Sequence, residues 1–135
     1  MISDNTDNQA TDSFKIYFDV NNNAGDPDAA DRFYQIIRDD TMTIRAGIGT
    51  NADGLDWNSD YTSENWDAVT GELGGTGWLV EMQVDATTEM PDMLIGQPFG
   101  SMVLVLYTGS QGVWPDGALS NDASTWQQLA NPVCR

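Results

Sequence analysis

The sequence contains no histidine, one cysteine and one lysine among its 135 residues. Without histidine, the Ser-His and Cys-His nucleophile systems cannot be built, and zinc and copper lack their usual nitrogen ligand. The single Cys134 cannot form a disulfide within the chain, so it is either a free thiol or pairs with a segment outside this sequence. No apolar run is long enough to cross a bilayer, and the first residues lack the charged and then apolar pattern of a signal peptide.

Basic residues are scarce, with five Lys and Arg against 21 Asp and Glu, and the formal net charge is -16. This charge repels nucleic-acid phosphates and anionic lipid headgroups, so we predict no nucleic-acid partner and no membrane insertion. An acidic surface of this kind is typical of extracellular proteins and also of proteins adapted to high salt. We therefore expect the protein to be secreted, at the cell surface or outside the cell.

Apolar residues recur in short segments separated by turns rich in Gly, Asn and Asp, a pattern typical of β-strands. Between residues 14 and 20 they fall at every second position, which predicts a half-buried strand. The side chains expected to face the core are Phe14, Ile16, Phe18 and Val20, and those expected to face solvent are Lys15, Tyr17 and Asp19. Further strands are predicted at residues 32–38, 42–48, 66–73, 78–84 and 101–109, the last as a central strand because both of its faces are apolar. In residues 78–84 the alternation predicts that the inward side chains are Trp78, Val80, Met82 and Val84.

These strands, without any long amphipathic helix, predict an all-β fold in a single domain, namely an antiparallel β-sandwich of jelly-roll-like type. We assign residues 1–13 to a polar, flexible N-terminal segment and residues 14–135 to the β-sandwich domain. One short helical turn is expected between residues 85 and 96, and the tail from Trp114 onward is expected to be mostly loop.

Oxygen-bearing side chains are concentrated in residues 19–31, directly after the first predicted strand. The candidate metal ligands are Asp19, Asn21, Asn23, Asp26, Asp28 and Asp31. Ca²⁺ takes about six to eight oxygen ligands, and carboxylates this close together repel one another unless a cation neutralises them. The segment is not an EF-hand, because Ala24 and Ala30 occupy the positions of the turn glycine and of the final bidentate acid. We predict Ca²⁺ as the cofactor, and a metal-free Asn/Asp turn is the alternative.

Several of the five tryptophans lie in polar segments, where an aromatic ring is available to a ligand. The candidate ligand-binding residues are Trp57, Tyr61, Trp66, Trp114 and Trp126. Exposed rings offer flat apolar faces to the C–H groups of sugars, and neighbouring Asp, Asn and Gln side chains bind the sugar hydroxyls. As a group these residues favour glycan binding. For each ring alone, the alternative is that it fills an end of the sandwich.

The order of these segments resembles the carbohydrate-binding module family 9-like domains of the DOMON-like β-sandwich group. The resemblance runs from about Phe14 to Trp126 and rests on IYFDVNNN, DRFYQIIRDD, GWLVEMQV and WPDGA followed by STW. It implies a β-sandwich, a bound calcium ion in the segment that starts at Asp19, and sugar binding between aromatic side chains in some members. The opening segment of the family, with its DG…W element, is replaced here by the polar residues 1–13, which puts the edge strand in question.

Together these observations predict a secreted, calcium-stabilised, non-catalytic carbohydrate-binding module whose partner is a polysaccharide or glycan. We also expect it to be one part of a larger multidomain protein. A structural or adhesion module of a cell-surface protein is the first alternative, and it requires the tryptophans to be buried. A glycoside-active enzyme domain is the second alternative, because glycoside hydrolysis needs only two carboxyl groups, with Glu81 as a candidate acid.

Overall fold

The computed structural model describes residues 2–3, 12–49, 57–74, 77–93, 96–107 and 110–130 of the chain, with the backbone alone for residues 2–3. The first five strands are β1 (Ile2–Ser3), β2 (Ser13–Asp19), β3 (Arg32–Ile37), β4 (Met42–Gly47) and β5 (Trp57–Asn58). The next five are β6 (Trp66–Glu72), β7 (Trp78–Val84), β8 (Pro98–Tyr107), β9 (Ser110–Trp114) and β10 (Gln127–Ala130). A single helical turn, α1, spans Ala86–Glu89, and a 3₁₀ turn spans Ala123–Thr125.

The strands form two antiparallel sheets, which confirms the predicted all-β sandwich. The small sheet has the order β1-β7-β6, and the large sheet has the order β10-β8-β2-β3-β4-β5, with β9 paired to β8. Strand β8 is central, as its two apolar faces predicted, because β2 lies along one side of it and β9 and β10 lie along the other. Residues 108 and 109, which were assigned to this strand, lie outside the described ranges.

The inner core lies between the two sheets. Tyr34 and Ile36 of β3 are 0% and 1% exposed there. Trp66 of β6 packs edge-on against Tyr34, with their ring centroids 5.1 Å apart. Val80 and Met82 of β7 contact the same cluster, so the alternation expected for residues 78–84 holds. Burial of large apolar side chains such as these is the main favourable term in the stability of a sandwich.

The large sheet is also covered on its other face, which corrects the expectation that Tyr17 and Asp19 face solvent. Tyr17 is 3% exposed and Asp19 is 1% exposed. The cover is the segment from residue 115 to residue 126, together with Trp57 of β5. Trp126 and Trp57 both lie within 6 Å of Tyr17 between ring centroids, at 5.8 and 5.6 Å. A period-two pattern reveals only one covered face of a strand, so this second core was not predicted.

The chain ends differ from the polar N-terminal segment and loop tail that we expected. Ile2–Ser3 pairs with β7, and β2 begins at Ser13 rather than at Phe14. Asp12 and Ser13 are each 1% exposed, so the end of the segment assigned to 1–13 belongs to the packed domain. Residues 1 and 4–11, and Cys134 at the other end, lie outside the described ranges. The tail contributes β10 to the edge of the large sheet.

Arg38, just after β3, ties the two sheets together. Its guanidinium donates to both carboxylate oxygens of Glu72 on β6, at 2.9 and 2.6 Å, and to the buried carboxylate of Asp12 at 3.3 Å. The hydrogen bonds that Arg38 donates to Glu72, followed by the charge of Glu72 and by Asp12, raise the pKa of Arg38 despite its burial. A two-pronged Arg–carboxylate pair fixes orientation as well as distance, so it sets how β6 lies over β3.

Helices contribute little beyond one capped turn. The side chain of Asp85 accepts a hydrogen bond from the backbone N–H of Thr87 and so caps the start of α1, which confirms the expected short helical turn. In the ranges that the structure describes, no helix has both the length and the apolar character needed to cross a membrane.

Two tryptophans test the division between core and surface. Trp66→Ala empties a position that is 8% exposed between the sheets, so it should lower the free energy of unfolding by about 3–5 kcal/mol. Trp114→Ala removes a ring that is 46% exposed, so it should change the free energy by no more than about 0.5 kcal/mol. Denaturant unfolding followed by circular dichroism measures both values. Equal losses in the two variants would contradict the assigned packing.

Candidate functional site

Three adjoining depressions cross one end and the outer face of the small sheet, and we call them together the polar groove. The first, of about 610 Å³, lies between residues 61–65 and the end of α1. It shares Glu64 and Asn65 with the second, of about 280 Å³. The second shares Asp67 and Gln83 with the third, of about 380 Å³. The shared residues join the depressions into one surface, which is lined by carboxylate, amide and hydroxyl groups and, in the third depression, also by the exposed side chain of Val69.

The first depression is organised by the buried carboxylate of Glu89, which is 2% exposed at the end of α1. Tyr61 donates its hydroxyl to this carboxylate at 3.0 Å, and Asn65 donates its side-chain amide at 3.1 Å. Ser63 also donates to it. These three residues stand at every second position of a short segment without regular secondary structure, and all three side chains reach the same carboxylate. Four polar side chains from two segments thus form a preorganised wall.

Arg32 supplies the balancing positive charge beneath this wall. Its Nε lies 3.7 Å from the Glu89 carboxylate, and its guanidinium stacks 4.7 Å from the centroid of the Tyr61 ring. Burial on its own would raise the pKa of Glu89. The hydrogen bonds from Ser63, Asn65 and Tyr61, together with Arg32, outweigh burial and hold its pKa below the usual value. Glu89 is therefore an anion that accepts hydrogen bonds.

Two buried polar atoms close to this network have unsatisfied hydrogen-bonding capacity. The Nε of Arg32 and the hydroxyl of Tyr34 have no hydrogen-bond partner in the structure, although both are out of contact with solvent. Buried polar groups are nearly always satisfied by protein, water or ligand. The charges of Glu89 and Arg32 both act on the pKa of Tyr34, so its hydroxyl lies in the same charged surroundings as the Glu89 network.

The five aromatic residues predicted to bind a ligand lie in three separate places. Tyr61 and Trp66 line the polar groove, but Trp66 is 8% exposed and belongs to the inner core. Trp57 and Trp126 lie on the opposite face of the large sheet, where each indole N–H donates to a backbone carbonyl, of Ser120 and Leu119 respectively. The packing of these two rings and of Trp66 is what the structural alternative predicts for a ring that fills the sandwich.

Trp114 is the exception among the tryptophans, since it is 46% exposed at the end of the edge strand β9. Its backbone is paired with Val103 of β8. The other four predicted aromatic residues lie elsewhere, so the structure does not bring the five candidate residues together. Trp114 is a separate place at which a sugar ring could stack.

The loop of predicted metal ligands joins β2 to β3 and is held by its own carboxylates. Asp19 accepts hydrogen bonds from the backbone N–H groups of Asn23 and Ala24, both at 3.1 Å. Asp31 accepts from the backbone N–H groups of Val20 at 3.0 Å and of Asp28 at 2.8 Å. Each buried carboxylate therefore closes one half of the loop with two backbone donors.

Asp28 collects the amide side chains of the same loop. Its Oδ2 accepts from the Nδ2 groups of both Asn21 and Asn23, and its Oδ1 accepts from the N–H of Ala30. The amide nitrogens, rather than the oxygens that calcium requires, thus face this carboxylate. Asp26 is exposed. Across the described ranges, no three His, Cys, Asp or Glu side chains are grouped so that they could hold a metal ion.

The loop nevertheless brings the carboxyl groups of Asp19, Asp28 and Asp31 close enough together to repel one another when they are ionised. Burial, together with the charges of Asp28 and Asp19, outweighs the lowering effect of the two backbone hydrogen bonds and raises the pKa of Asp31 to about 7. Gly47 of β4 allows the loop to pack closely, because a Cβ there would collide with the backbone of Pro27 and Asp28. The carboxylate oxygens of the loop are hard donors of the type that calcium prefers. In this structure they accept hydrogen bonds from within the loop instead.

Sequence reasoning missed Ser63, Asn65, Gln83 and Glu89. A signal was present in residues 61–65, where Tyr, Ser and Asn alternate with Thr and Glu just before a strand. That alternation places three hydrogen-bonding side chains on one face. No local signal marks Glu89 as buried, because its partners Arg32 and Tyr61 are distant in sequence.

Comparison with known proteins identifies the fold. No family model matches the chain, and no curated protein matches it. Among solved structures, it matches a carbohydrate binding module family 9 (CBM9) from Caldicellulosiruptor kristjanssonii in complex with glucose, at 17% identity and a TM-score of 0.64. The match covers 97% of this chain and 65% of that chain. The same module in complex with cellotriose matches at 16% identity and a TM-score of 0.63, over 98% of this chain and 64% of that chain.

These matches define the class of the fold as an antiparallel β-sandwich. More closely, the chain has a CBM9-like fold, which confirms the resemblance inferred from the order of its segments. The chain spans just under two thirds of the length of the two solved chains.

The raised pKa of Asp31 predicts how the stability of the metal-free protein, measured in EDTA, depends on pH. Unfolded Asp loses its proton near pH 4, whereas folded Asp31 keeps it to about pH 7, so the folded state holds one more proton in this window. Stability should therefore fall as the pH rises from about 4 to about 7, by up to about 4 kcal/mol from this group. Urea unfolding at several pH values measures the fall.

A direct titration provides the control. In protein labelled with ¹³C at the Asp carboxyl groups, one resonance should titrate near pH 7. Asp31→Asn should flatten the stability profile in the same window. If every Asp in the folded protein titrates at the usual value near 4, the assigned environment of Asp31 is wrong.

Proposed function

We propose that this domain is a non-catalytic carbohydrate-binding module that binds a neutral glycan chain along the polar groove. The observation that carries the proposal is the hydrogen-bonding wall built on Glu89, with Tyr61, Ser63 and Asn65 held in place before any ligand arrives. The CBM9-like fold supports it, because the two solved structures compared above are complexes with sugars, glucose in one and cellotriose in the other.

The chemistry of the groove suits an uncharged, hydroxyl-rich ligand. Carboxylates and amides accept and donate hydrogen bonds to hydroxyl groups, and those made to an ionised group are the stronger ones. Exposed carboxylates such as Asp67 and Glu81 repel an anionic ligand, and the nearest base, Arg32, is buried. The half-buried ring of Tyr61 gives the groove one aromatic wall. The three joined depressions suit an extended chain of sugar rings better than a single ring.

The protonation state of the groove supports a binding role over hydrolysis. A glycosidase needs a carboxylic acid with a raised pKa beside a second carboxylate. The pKa of Glu89 is lowered instead, and both of its oxygens accept hydrogen bonds from neighbouring side chains. Glu81, the candidate acid, is exposed on the face of β7. We therefore propose that the domain performs no glycoside chemistry of its own.

A structural or adhesion module is the second candidate function. It is favoured by the burial of Trp66 and Trp126 and by the hydrogen bond that fixes Trp57, since these rings then serve the fold. The exposed Trp114 fits this candidate less well. For either candidate, we propose an extracellular location and a place within a longer multidomain protein, which the acidic composition and the two longer matching chains support.

We also propose Ca²⁺ binding at the loop between β2 and β3. The support is the repulsion among Asp19, Asp28 and Asp31, of which two are almost fully buried. The sequence from residue 19 to residue 31 contains no Lys or Arg that could neutralise them. Binding would require Asn21 and Asn23 to turn their side-chain oxygens toward the ion, as calcium takes oxygen ligands only.

Binding to the groove is tested by isothermal titration with cellotriose and with longer cello-oligosaccharides. Asn65→Ala and Gln83→Ala each remove one exposed amide from the groove wall, so each should weaken binding by about three- to tenfold, the value of one neutral hydrogen bond. Gln128→Ala, on the exposed β10, is the matched control and should bind like the parent protein.

Two other results would redirect the assignment. Loss of binding in Trp114→Ala, with Asn65→Ala and Gln83→Ala unaffected, would move the sugar site to the end of β9. Absence of binding to any glycan on an array would favour the structural module.

Calcium binding is tested by melting with and without the ion. An ion at 100 times its dissociation constant stabilises the native state by about 2.7 kcal/mol, so calcium should raise the melting temperature and EDTA should lower it. Asp19→Ala should abolish this response. An identical melting temperature in calcium and in EDTA would remove the metal from the proposal.

A further inference from the structure

Positive charge is unevenly used in this acidic protein. Four of its five basic residues lie in the described ranges. Arg32 and Arg38 are at most 9% exposed, and each is paired with a carboxylate. Within the part of the chain that the structure describes, Lys15 and Arg45 form no ion pair. Because acidic residues are abundant in the described ranges, the lack of a carboxylate partner there for these two cations requires an explanation.

Strand register places these two cations on one surface. Tyr17 of β2 is paired with Phe33 of β3, which is paired with Arg45 of β4. Lys15 lies two residues before Tyr17, so it shares the face that carries the outer core. Its Nζ lies 5.7 Å from the centroid of the Phe33 ring, and the guanidinium carbon of Arg45 lies 6.0 Å from the same centroid. We call Lys15, Arg45, Gln35 and Thr43 the cationic platform.

The two charges are held close together and partly out of water. Burial lowers the pKa of Lys15, and the positive charge of Arg45 lowers it further. Gln35 and Thr43 lie on the same face in the row that begins at Lys15, since Lys15 is paired with Gln35 and Gln35 with Thr43. Both are half-buried and carry hydrogen-bond donors. Like charges that are held together beside neutral donors form a surface that is complementary to one anionic group.

The occupant follows from the size and surroundings of the platform. A long polyanion such as nucleic acid would be repelled by the net charge of -16 around it. A single carboxylate or sulfate on an otherwise neutral sugar meets the two cations without that cost. The half-buried Trp57 packs on Phe33 at 5.1 Å and offers an apolar edge beside them. We propose that the cationic platform binds an anionic sugar residue, recognised through its carboxylate or sulfate group.

This inference rests on the proposed carbohydrate-binding function and adds a second, charge-selective surface to it. The groove and the platform lie on opposite sides of the sandwich, because one borders the small sheet and the other lies on the outer face of the large sheet. Neutral and anionic sugars should therefore bind independently.

The experiment is isothermal titration with three probes of matched size. The first is a trisaccharide of neutral sugars with one uronic acid residue, which carries one carboxylate; the second is a trisaccharide of neutral sugars with one sulfate ester; and the third is cellotriose, which is neutral. Lys15→Gln and Arg45→Gln should each weaken binding of the anionic probe about tenfold or more, as expected for one charge-assisted hydrogen bond, and leave cellotriose binding unchanged. Raising NaCl from about 0.05 M to about 0.5 M should weaken only the anionic probe. Comparison of the two anionic probes decides between carboxylate and sulfate.

The controls separate binding from folding. Gln111→Ala on β9 changes an exposed polar residue away from the platform and should have no effect. Lys15→Arg and Arg45→Lys keep the positive charges and should bind the anionic probes like the parent protein. They test the platform if Lys15→Gln or Arg45→Gln does not fold. The inference would be overturned if each anionic probe bound the double variant Lys15→Gln/Arg45→Gln as tightly as it binds the parent protein. It would also be overturned if neither anionic probe bound the parent protein. If cellotriose binds and the anionic probes do not, the groove proposal stands and the platform proposal is wrong. If the anionic probes bind and cellotriose does not, only the groove proposal is wrong.

Discussion

Both faces of the large sheet must be shielded from water, and this constraint determines where the aromatic residues of the domain lie. Strands β2 and β3 carry Ile16 and Tyr34 on the inner side and Tyr17 and Phe33 on the outer side. One small sheet can cover only one of these faces. The C-terminal segment therefore folds back over the other, and Trp126 anchors it. Because the fold buries most of its tryptophans, the sugar recognition that we propose depends on polar groups.

The polar groove depends in turn on a buried carboxylate. An ionised Glu89 can remain in the interior only with several donors around it, because burying an uncompensated charge is costly. That requirement orders residues 61–65 and brings Arg32 under Tyr61. The same donors that stabilise the anion line the first depression, so folding and preorganisation of the groove are one process. Preorganised groups lose little conformational freedom when a ligand binds.

The sequence predicted what local patterns encode. Alternation identified the inward side chains of β7, and two apolar faces marked β8 as central. Burial of Tyr17 and Asp19 escaped prediction because it depends on a cover that is distant in the chain. Trp66 and Trp126, which we predicted as ligand contacts, are both nearly buried, and composition does not distinguish a buried indole from an exposed one. The resemblance to a known family supplied the sandwich as a whole, whereas the groove requires three-dimensional contacts.

The charge of the acidic loop does not by itself distinguish a metal site from a turn that is closed by hydrogen bonds. A dense run of Asp and Asn predicts a cation, yet backbone N–H groups and amide side chains satisfy the same oxygens. The two arrangements use the same residues and differ in which atoms face the carboxylates. The location between β2 and β3 was predicted from the sequence, and the pattern of hydrogen bonds was not.

The most direct test of the account is to map the neutral-sugar site by nuclear magnetic resonance. Backbone and side-chain amide resonances would be followed while cellotriose is added to ¹⁵N-labelled protein. The account expects saturable shifts centred on Ser63, Asn65 and Gln83, with the amides around Lys15 and Arg45 unmoved. Shifts confined to the residues around Trp114, or none above the level of a non-binding sugar, would contradict it.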